Sequence, residues 1–556
     1  MRQRLRLRAK IHTFSWVDWL LIALFFVSCI TSGIVVFHTS LQMLDSDASS
    51  ELALAKHLSE TGRIISPDWH YSTELCVLGT QLIFAPLFRL FSVWRHTRFF
   101  GTLILQALLL LSYWYVCKTA KLNRKAYLLG GSLLLLPMSV AYGRIILYHV
   151  YYITYIVISF LIIALFLALL KDIEQKGNKL SFVFHFMLGL SLSFASGMCG
   201  IRQICITHLP IMMTLIVVLL KPTKENDPKP TSFWLVMGLF VTWCLAFFGG
   251  YIVNSRLAEA YSFADYSQSM IELKDLSRLS ETLFGFFHMF GYRRDVLLVS
   301  VVGILSLLGL LAAGVITIYA GSALIGKEHE QSFSTRFLTL LFPCGTIAYV
   351  LMLMIVDSIS WSTLYVNLFF PLFFLMVGAI LTNPVPEKPN RYGYPNRILT
   401  VFVAIVLLAN SAFNVMYFLK PSKYSQNYEG LGWDRVNLVS KLEPLRAQLV
   451  DEGYDVGYCT YWFGNVLTEM SNGQLKTVPI VFEGDGFQFM PWLTEKEQVD
   501  LIPQKPFIVI ARQNKSAFEL TEIYRHCQLV KEQVDFIAYE LDDPMIVYEY
   551  LHQTTE

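Results

Sequence analysis

The chain has 556 residues and a net charge of +2, with 54% of its residues hydrophobic and 15% charged, against about 25% charged in an ordinary soluble protein. That composition excludes a soluble globular protein, gives no basic excess that would point to a nucleic-acid partner, and describes a polytopic membrane protein. The nine cysteines form neither a disulfide framework nor a zinc pattern: seven lie in or beside apolar segments, and only Cys459 and Cys527 lie in the polar C-terminal part, where they are candidates to pair.

The N-terminus, MRQRLRLRAK, is basic and precedes a long apolar run from Trp16, with no small-residue cleavage site after it; the pattern predicts a retained first helix rather than a signal peptide. A membrane-spanning helix needs about 20 mostly apolar residues. Eleven segments qualify: 16–38, 98–117, 125–143, 149–170, 181–199, 204–220, 233–253, 296–320, 337–356, 361–382 and 398–418. The further apolar run 75–93 has amphipathic ends (Thr73, Glu74, Gln81, Arg89) and is read as a helix lying in the interface. With that reading the loops Lys171–Lys179, Lys221–Lys229, Lys327–Arg336 and Lys388–Arg397 all fall inside, as the positive-inside rule asks. The N-terminus is then inside and everything after about 419 outside. The large outer pieces are 39–97, 254–295 and 419–556, so chemistry is expected on the outer face. Two domains follow: a transmembrane domain over 1–418 and an extracytoplasmic α/β domain over 419–556.

The first outer loop, Asp45 to Glu74, carries six acidic residues, two histidines and a tryptophan. Carboxylates at a membrane edge are costly unless they face water or act. Residues 46–60 show an apolar stripe (Leu52, Leu54, Ala55, Leu58) and predict a helix along the membrane surface, with Asp47 and Glu51 four apart on one face. Asp45 and Asp47 are the candidate general bases, since deprotonating an acceptor hydroxyl calls for a carboxylate; the competing role for this pair is a helix N-cap. In Asp68-Trp69-His70-Tyr71-Ser72-Thr73-Glu74, aromatic faces and carboxylates are the groups a sugar site uses, and Glu51, Trp69, His70 and Glu74 are the candidate acceptor- or sugar-binding residues. The competing role is an interfacial aromatic anchor.

The outer arginines Arg144, Arg202, Arg293 and Arg294 are candidates for a phosphate, because a permanently charged, fork-shaped donor suits that group; snorkelling to headgroups is the alternative. Gly197 and Gly200 beside Arg202 allow close backbone approach. His149 and Tyr148 on the same rim are read as packing residues. Loop 254–295 predicts a surface helix from Met270 to Phe287, with Lys274 and Tyr292 as secondary candidates. Asp357 and Trp361 sit at an outer turn. There is no Walker loop, GxSxG, Rossmann fingerprint or HExxH. Asp45-Ser46-Asp47 spells DxD, but on the outer face, where nucleotide sugars are absent; a divalent cation is left open and not favoured. In the C-terminal part the amphipathic run Val436–Val450, the strand-like KTVPIVF and PFIVIAR, and the helical patterns Asn465–Met470 and Ser516–Tyr524 predict a small α/β domain.

A single span, an outer acidic loop with an interfacial helix, a second interfacial helix and then a basic-ended span resemble the GT-C superfamily, which includes protein O-mannosyltransferases, the lipid A aminoarabinose transferase and oligosaccharyltransferases. Asp47-Ala-Ser-Ser-Glu51 through Gly62 matches the first interfacial helix and Tyr71-Ser-Thr-Glu74 through Phe91 the second. STELCVLGTQLIFAPLF, SGMCGIRQ and YWFGNVLTEMSNGQLKTVPI resemble a group of bacterial membrane proteins of this type. The resemblance implies a polyprenyl-phosphate monosaccharide donor, an acceptor in the cell envelope, a base at Asp47 or Asp45, inversion at the anomeric carbon, no metal or other cofactor, and the cytoplasmic membrane of a bacterium as location. This loop has DSDA where many members pair two acids directly, which leaves the base between Asp45 and Asp47. The rival readings are a transporter or flippase of a lipid-linked sugar, which more often shows internal repeats that this chain lacks, and a non-catalytic envelope scaffold.

Overall fold

A computed structural model gives the fold and describes residues 15–72, 75–174, 178–220, 230–263, 283, 285–292, 296–322, 332–355, 368–382, 393–420, 438–483 and 486–553. The membrane part comprises α1 (Trp16–Gln42), α2 (Ser46–Thr61), β1 (Trp69–Tyr71), α3 (Gln81–Phe88), α4 (Trp94–Thr119), α5 (Arg124–Leu135), α6 (Val140–Leu147), α7 (Ile153–Glu174), α8 (Lys179–Gly197), α9 (Leu209–Leu220), α10 (Pro230–Ala258), β2 (Ser262–Phe263), α11 (Val301–Ser322), α12 (Phe333–Ile355), α13 (Leu372–Thr382) and α14 (Gly393–Leu419). Among the described residues eight helices are long and apolar enough to cross a membrane, and α5 with α6, taken together as one bent span, would make a ninth. Ile204–Val218 and Leu372–Thr382 are shorter apolar helices. Together these fall on the eleven apolar segments of the sequence, and the chain is a multi-pass membrane protein.

Two segments differ from expectation. The run 75–93 holds only the eight-residue α3, with Pro86 inside it and its cap at Arg89; it is too short to span. The third crossing is not a continuous 125–143 helix but breaks by 92° between α5 and α6. Pro137 stands in that break and Ser139 caps α6, accepting from the Tyr142 N–H at 3.0 Å. The second half of this crossing therefore turns aside and carries Arg144 to the end of the bundle where α2 lies. α7 is buried on nearly all sides and packs along α4, so it forms the centre of the bundle. α8 and α10 cross at glycines: a Cβ on Gly197 would stand 2.0 Å from the Phe247 carbonyl oxygen, and one on Gly250 would stand 1.9 Å from that of Phe194.

The C-terminal part comprises α15 (Leu438–Asp451), β3 (Val456–Thr460), α16 (Tyr461–Met470), β4 (Lys476–Glu483), β5 (Gly486–Phe489), β6 (Thr494–Glu495), β7 (Phe507–Ala511), α17 (Lys515–Phe518), β8 (Cys527–Glu532), β9 (Phe536–Leu541) and α18 (Ile546–Gln553). Six of these seven strands, all but β6, form a mixed sheet in the order β5-β4-β3-β7-β9-β8, with β3 parallel to both β4 and β7. Alternate residues of each strand point to opposite faces. Leu438, Leu442, Leu445 and Leu449 of α15 with Phe463, Val466 and Leu467 of α16 cover one face; Phe518, Ile523, Val547 and Leu551 cover the other. This is the α/β domain expected. Cys459 and Cys527 are both free thiols. They lie on β3 and β8, with β7 and β9 between them, a separation of about 14 Å at the usual strand spacing, beyond disulfide reach.

Candidate active site

The site is built around the first turn of α2. Asp45 is its N-cap: with extended backbone, its Oδ1 accepts from the Ala48 N–H at 3.0 Å. Its other oxygen, Oδ2, accepts from Arg144 Nη2 at 3.1 Å and meets His149 Nε2 in a short contact. Arg144 Nε donates to His149 Nδ1 at 2.9 Å, which makes Nδ1 the acceptor and leaves the ring proton on Nε2, facing Asp45. Burial opposes charge on Asp45, but His149 and Arg144 outweigh it and hold the carboxyl well below its ordinary range. Capping and ion pairing thus occupy Asp45 from both sides.

Asp47, two residues on, is placed differently. It is half-buried, and its Oδ1 accepts from the Tyr461 hydroxyl at 2.7 Å. Burial first, and then the Asp47 carboxylate, push the Tyr461 phenol well above its ordinary value, so Tyr461 stays protonated and donates. Glu51 lies one turn along the same face and accepts from Thr80 Oγ1 at 2.8 Å. Its proton affinity is raised, chiefly by burial and additionally by the Asp47 carboxylate, against the opposing Thr80 bond.

Two sources hold this turn in place. Arg98, in the first turns of α4, donates from Nε and Nη2 to both oxygens of Glu469 on α16, each at 2.6 Å, and from Nη2 to the Ala48 carbonyl at 2.9 Å. Both side chains are 3% exposed, so this is a buried bidentate pair that ties a span, the α2 backbone and the C-terminal domain together. Further along α2, His57 Nδ1 meets Glu495 Oε1 of β6 at 2.9 Å and its Nε2 meets Ser66 Oγ at 2.8 Å. β1 runs parallel to β2 and antiparallel to β6.

The architecture matches solved structures at low identity. ArnT from Cupriavidus metallidurans in the apo state superposes with a TM-score of 0.54 at 10% sequence identity, covering 93% of this chain and 97% of that one. The same protein bound to undecaprenyl phosphate gives 0.53 at 12%, covering 95% and 98%. The chain shares the fold of ArnT. No family model matches the sequence, and no curated protein matches it.

The other candidates sort as follows. Arg144 and His149 converge on Asp45, although the sequence reading took His149 for packing. Arg202 is half-buried in the turn after α8. That turn is fixed by its neighbours: Gly200 has a φ of 90°, Gln203 Nε2 donates to the Tyr155 carbonyl at 3.1 Å and to Ser159 Oγ at 2.9 Å, and the Leu78 N–H points at Cys199 Sγ at 3.2 Å. Gly197 serves the α8–α10 crossing rather than a ligand. Trp69 does not offer a stacking face: it is buried with Leu54, Leu58, Tyr71 and Leu75 because β1 is sandwiched between two strands. His70 sits beside Phe489 with ring centroids 5.7 Å apart, and burial together with nearby Lys496 brings its pKa down to about 4, so it is neutral at pH 7. Glu74, Arg293, Arg294, Lys274, Asp357 and Trp361 lie outside the described residues, as does most of the helix expected over Met270–Phe287. Among the described residues no group of three or more His, Cys, Asp or Glu side chains is arranged to hold a metal ion.

Proposed function

We propose that the chain is an inverting glycosyltransferase that moves a monosaccharide from a polyprenyl-phosphate donor to a cell-envelope acceptor on the outer face of the cytoplasmic membrane. The observation that carries this reading is the first turn of α2. One carboxylate, Asp45, is ion-paired with Arg144 and hydrogen-bonded by His149, and a second, Asp47, stands beside it, engaged among the described residues by a phenol on one oxygen. The GT-C fold supports the reaction class, and ArnT, a GT-C lipid A aminoarabinose transferase, has been seen with undecaprenyl phosphate.

In the proposed reaction an acceptor hydroxyl attacks the anomeric carbon from the face opposite the phosphate. Asp47 takes the hydroxyl proton as the new C–O bond forms and the bond from that carbon to the phosphate oxygen breaks. The lipid phosphate leaves with the electron pair, and the guanidinium groups of Arg144 and Arg202 hold its charge. The chemistry needs no cofactor, because these cations supply the positive charge a departing phosphate requires. Asp45 keeps Arg144 oriented.

Purified protein assayed with a panel of radiolabelled undecaprenyl-phosphate monosaccharides, and envelope extract as acceptor, tests the proposal. Wild type is expected to transfer label, and Asp47→Asn to lose about 10²- to 10⁴-fold in turnover while binding undecaprenyl phosphate normally. Full transfer by Asp47→Asn would remove the base. Arg202→Ala is expected to weaken undecaprenyl phosphate binding far more than Arg256→Ala does.

A further inference from the structure

The C-terminal domain meets the acidic turn of α2 at one end of its sheet. β3 is its topological switch point: the chain leaves β3 for β4 on one side, and β7 later adds on the other. Ligands of such sheets sit in the crevice beyond the carboxyl end of the strand where the order reverses. In this chain Thr460 ends β3 and Tyr461 begins α16 at that spot, and the N-terminal turn of α2 lies against them. Ser46 Oγ donates to the Tyr461 carbonyl, and the Tyr461 hydroxyl donates to Asp47 Oδ1 at 2.7 Å. Leu44, next to the N-cap Asp45, is buried in the domain's own hydrophobic core with Leu442, Leu445 and Phe463. The Trp94 N–H bonds Asn472 Oδ1 at 2.9 Å on the far side of α16. The domain thus holds the acidic turn through Leu44, Ser46 and Asp47, and the start of α4 through Trp94, which is more than a loosely hinged cover would require.

Resting on the glycosyltransferase reading above, we propose that Tyr461 is a positioning residue for sugar transfer, so that the C-terminal domain is a structural half of the active site. Its phenol occupies Asp47 Oδ1 and fixes the carboxylate rotamer. That leaves Oδ2, the oxygen Tyr461 does not engage, to take the proton of the acceptor hydroxyl. The acceptor then enters between the domain and the bundle. Tyr461 touches neither sugar nor phosphate; it acts through Asp47 alone.

Full-length Tyr461→Phe, which removes one oxygen atom and keeps the ring, is compared with wild type for turnover, donor KM, undecaprenyl phosphate binding and melting temperature. Loss of a hydrogen bond to a charged group is expected to lower kcat about 10- to 100-fold, with donor KM and lipid binding unchanged and the variant still folded at the assay temperature. Wild-type kcat in the variant overturns the inference. So does a raised KM at unchanged kcat, which would make Tyr461 a binding group, or a fall in melting temperature that accounts for the lost rate, which would make it a packing group. If wild type binds undecaprenyl phosphate but releases sugar from no donor, it is the glycosyltransferase reading that fails, and Tyr461 loses its role with it.

Discussion

Asp45 and Asp47 are two residues apart and have opposite surroundings, and substitution separates them. Asp45→Asn takes away the carboxylate that Arg144 Nη2 bonds. Breaking a buried pair by removing one partner costs roughly 3–5 kcal/mol, so this variant is expected to lose both activity and thermal stability in detergent. Asp47→Asn is expected to lose activity and keep its melting temperature. Arg98 and Glu469 allow a sharper stability test. Arg98→Met or Glu469→Leu alone strands a buried charge and is expected to cost roughly 3–5 kcal/mol, whereas the double variant is expected to be far milder, because two apolar side chains leave no charge uncompensated; thermal melting of the three proteins checks it. The acids of this cluster were legible in the sequence, because six carboxylates beside an apolar span need a reason. Their partners were not. His149 lies 104 residues from Asp45, Tyr461 lies 414 from Asp47, and Glu469 lies 371 from Arg98, and no local pattern encodes contacts at that separation.

Among the elements, α2 is held at its far end by His57 and Glu495, and that contact depends on pH. The hydrogen bond to Glu495 raises the His57 pKa above its ordinary 6.5, against burial, with the nearby Asp68 and Glu60 charges adding. The same bond lowers Glu495 below its ordinary 4.5, again against burial. The His57 contribution is complete below about pH 6.5 and fades as pH rises through its folded value; the Glu495 contribution is complete above about pH 4.5 and fades as pH falls through its folded value. Docking of β6 on α2 is therefore expected to be firmest between those limits. Melting measured from pH 6 to 8.5 should decline in wild type, and His57→Gln should remove part of that slope. The α8–α10 crossing makes a simpler prediction: Gly197→Ala or Gly250→Ala forces a Cβ into the partner's backbone and is expected to cost roughly 1–3 kcal/mol, read by melting. Most elements were legible from apolar run length, and the demotion of 75–93 from the charges of the loops that follow it. The 92° break was signalled by Pro137 and Ser139, a helix breaker followed by a cap. It was missed because the apolar run continues through it, and hydropathy registers no change of direction.

At the scale of the molecule, a helical bundle and an α/β domain share one surface, and α2 runs along it. Leu44 in the domain's core, Tyr461 on Asp47 and the Arg98–Glu469 pair on the Ala48 carbonyl hold its N-terminal turn, and Glu495 holds His57 nearer its other end. The bend between α5 and α6 brings Arg144 and His149 to the same place from within the bundle. The sequence showed an apolar helical part followed by a strand-bearing C-terminal part, and which residues are acidic, basic or apolar. It could not show that the second domain sits on the first, because that fact resides in pairings several hundred residues apart. The whole account rests on Asp47 facing the reacting carbon of a lipid-linked sugar. The most direct measurement is an experimental structure of Asp47→Asn, which should trap the complex, bound to an undecaprenyl-phosphate monosaccharide. The account predicts the anomeric carbon in front of residue 47, with the phosphate on Arg144 and Arg202; a donor seated elsewhere, or with its phosphate turned toward residue 47, would contradict it.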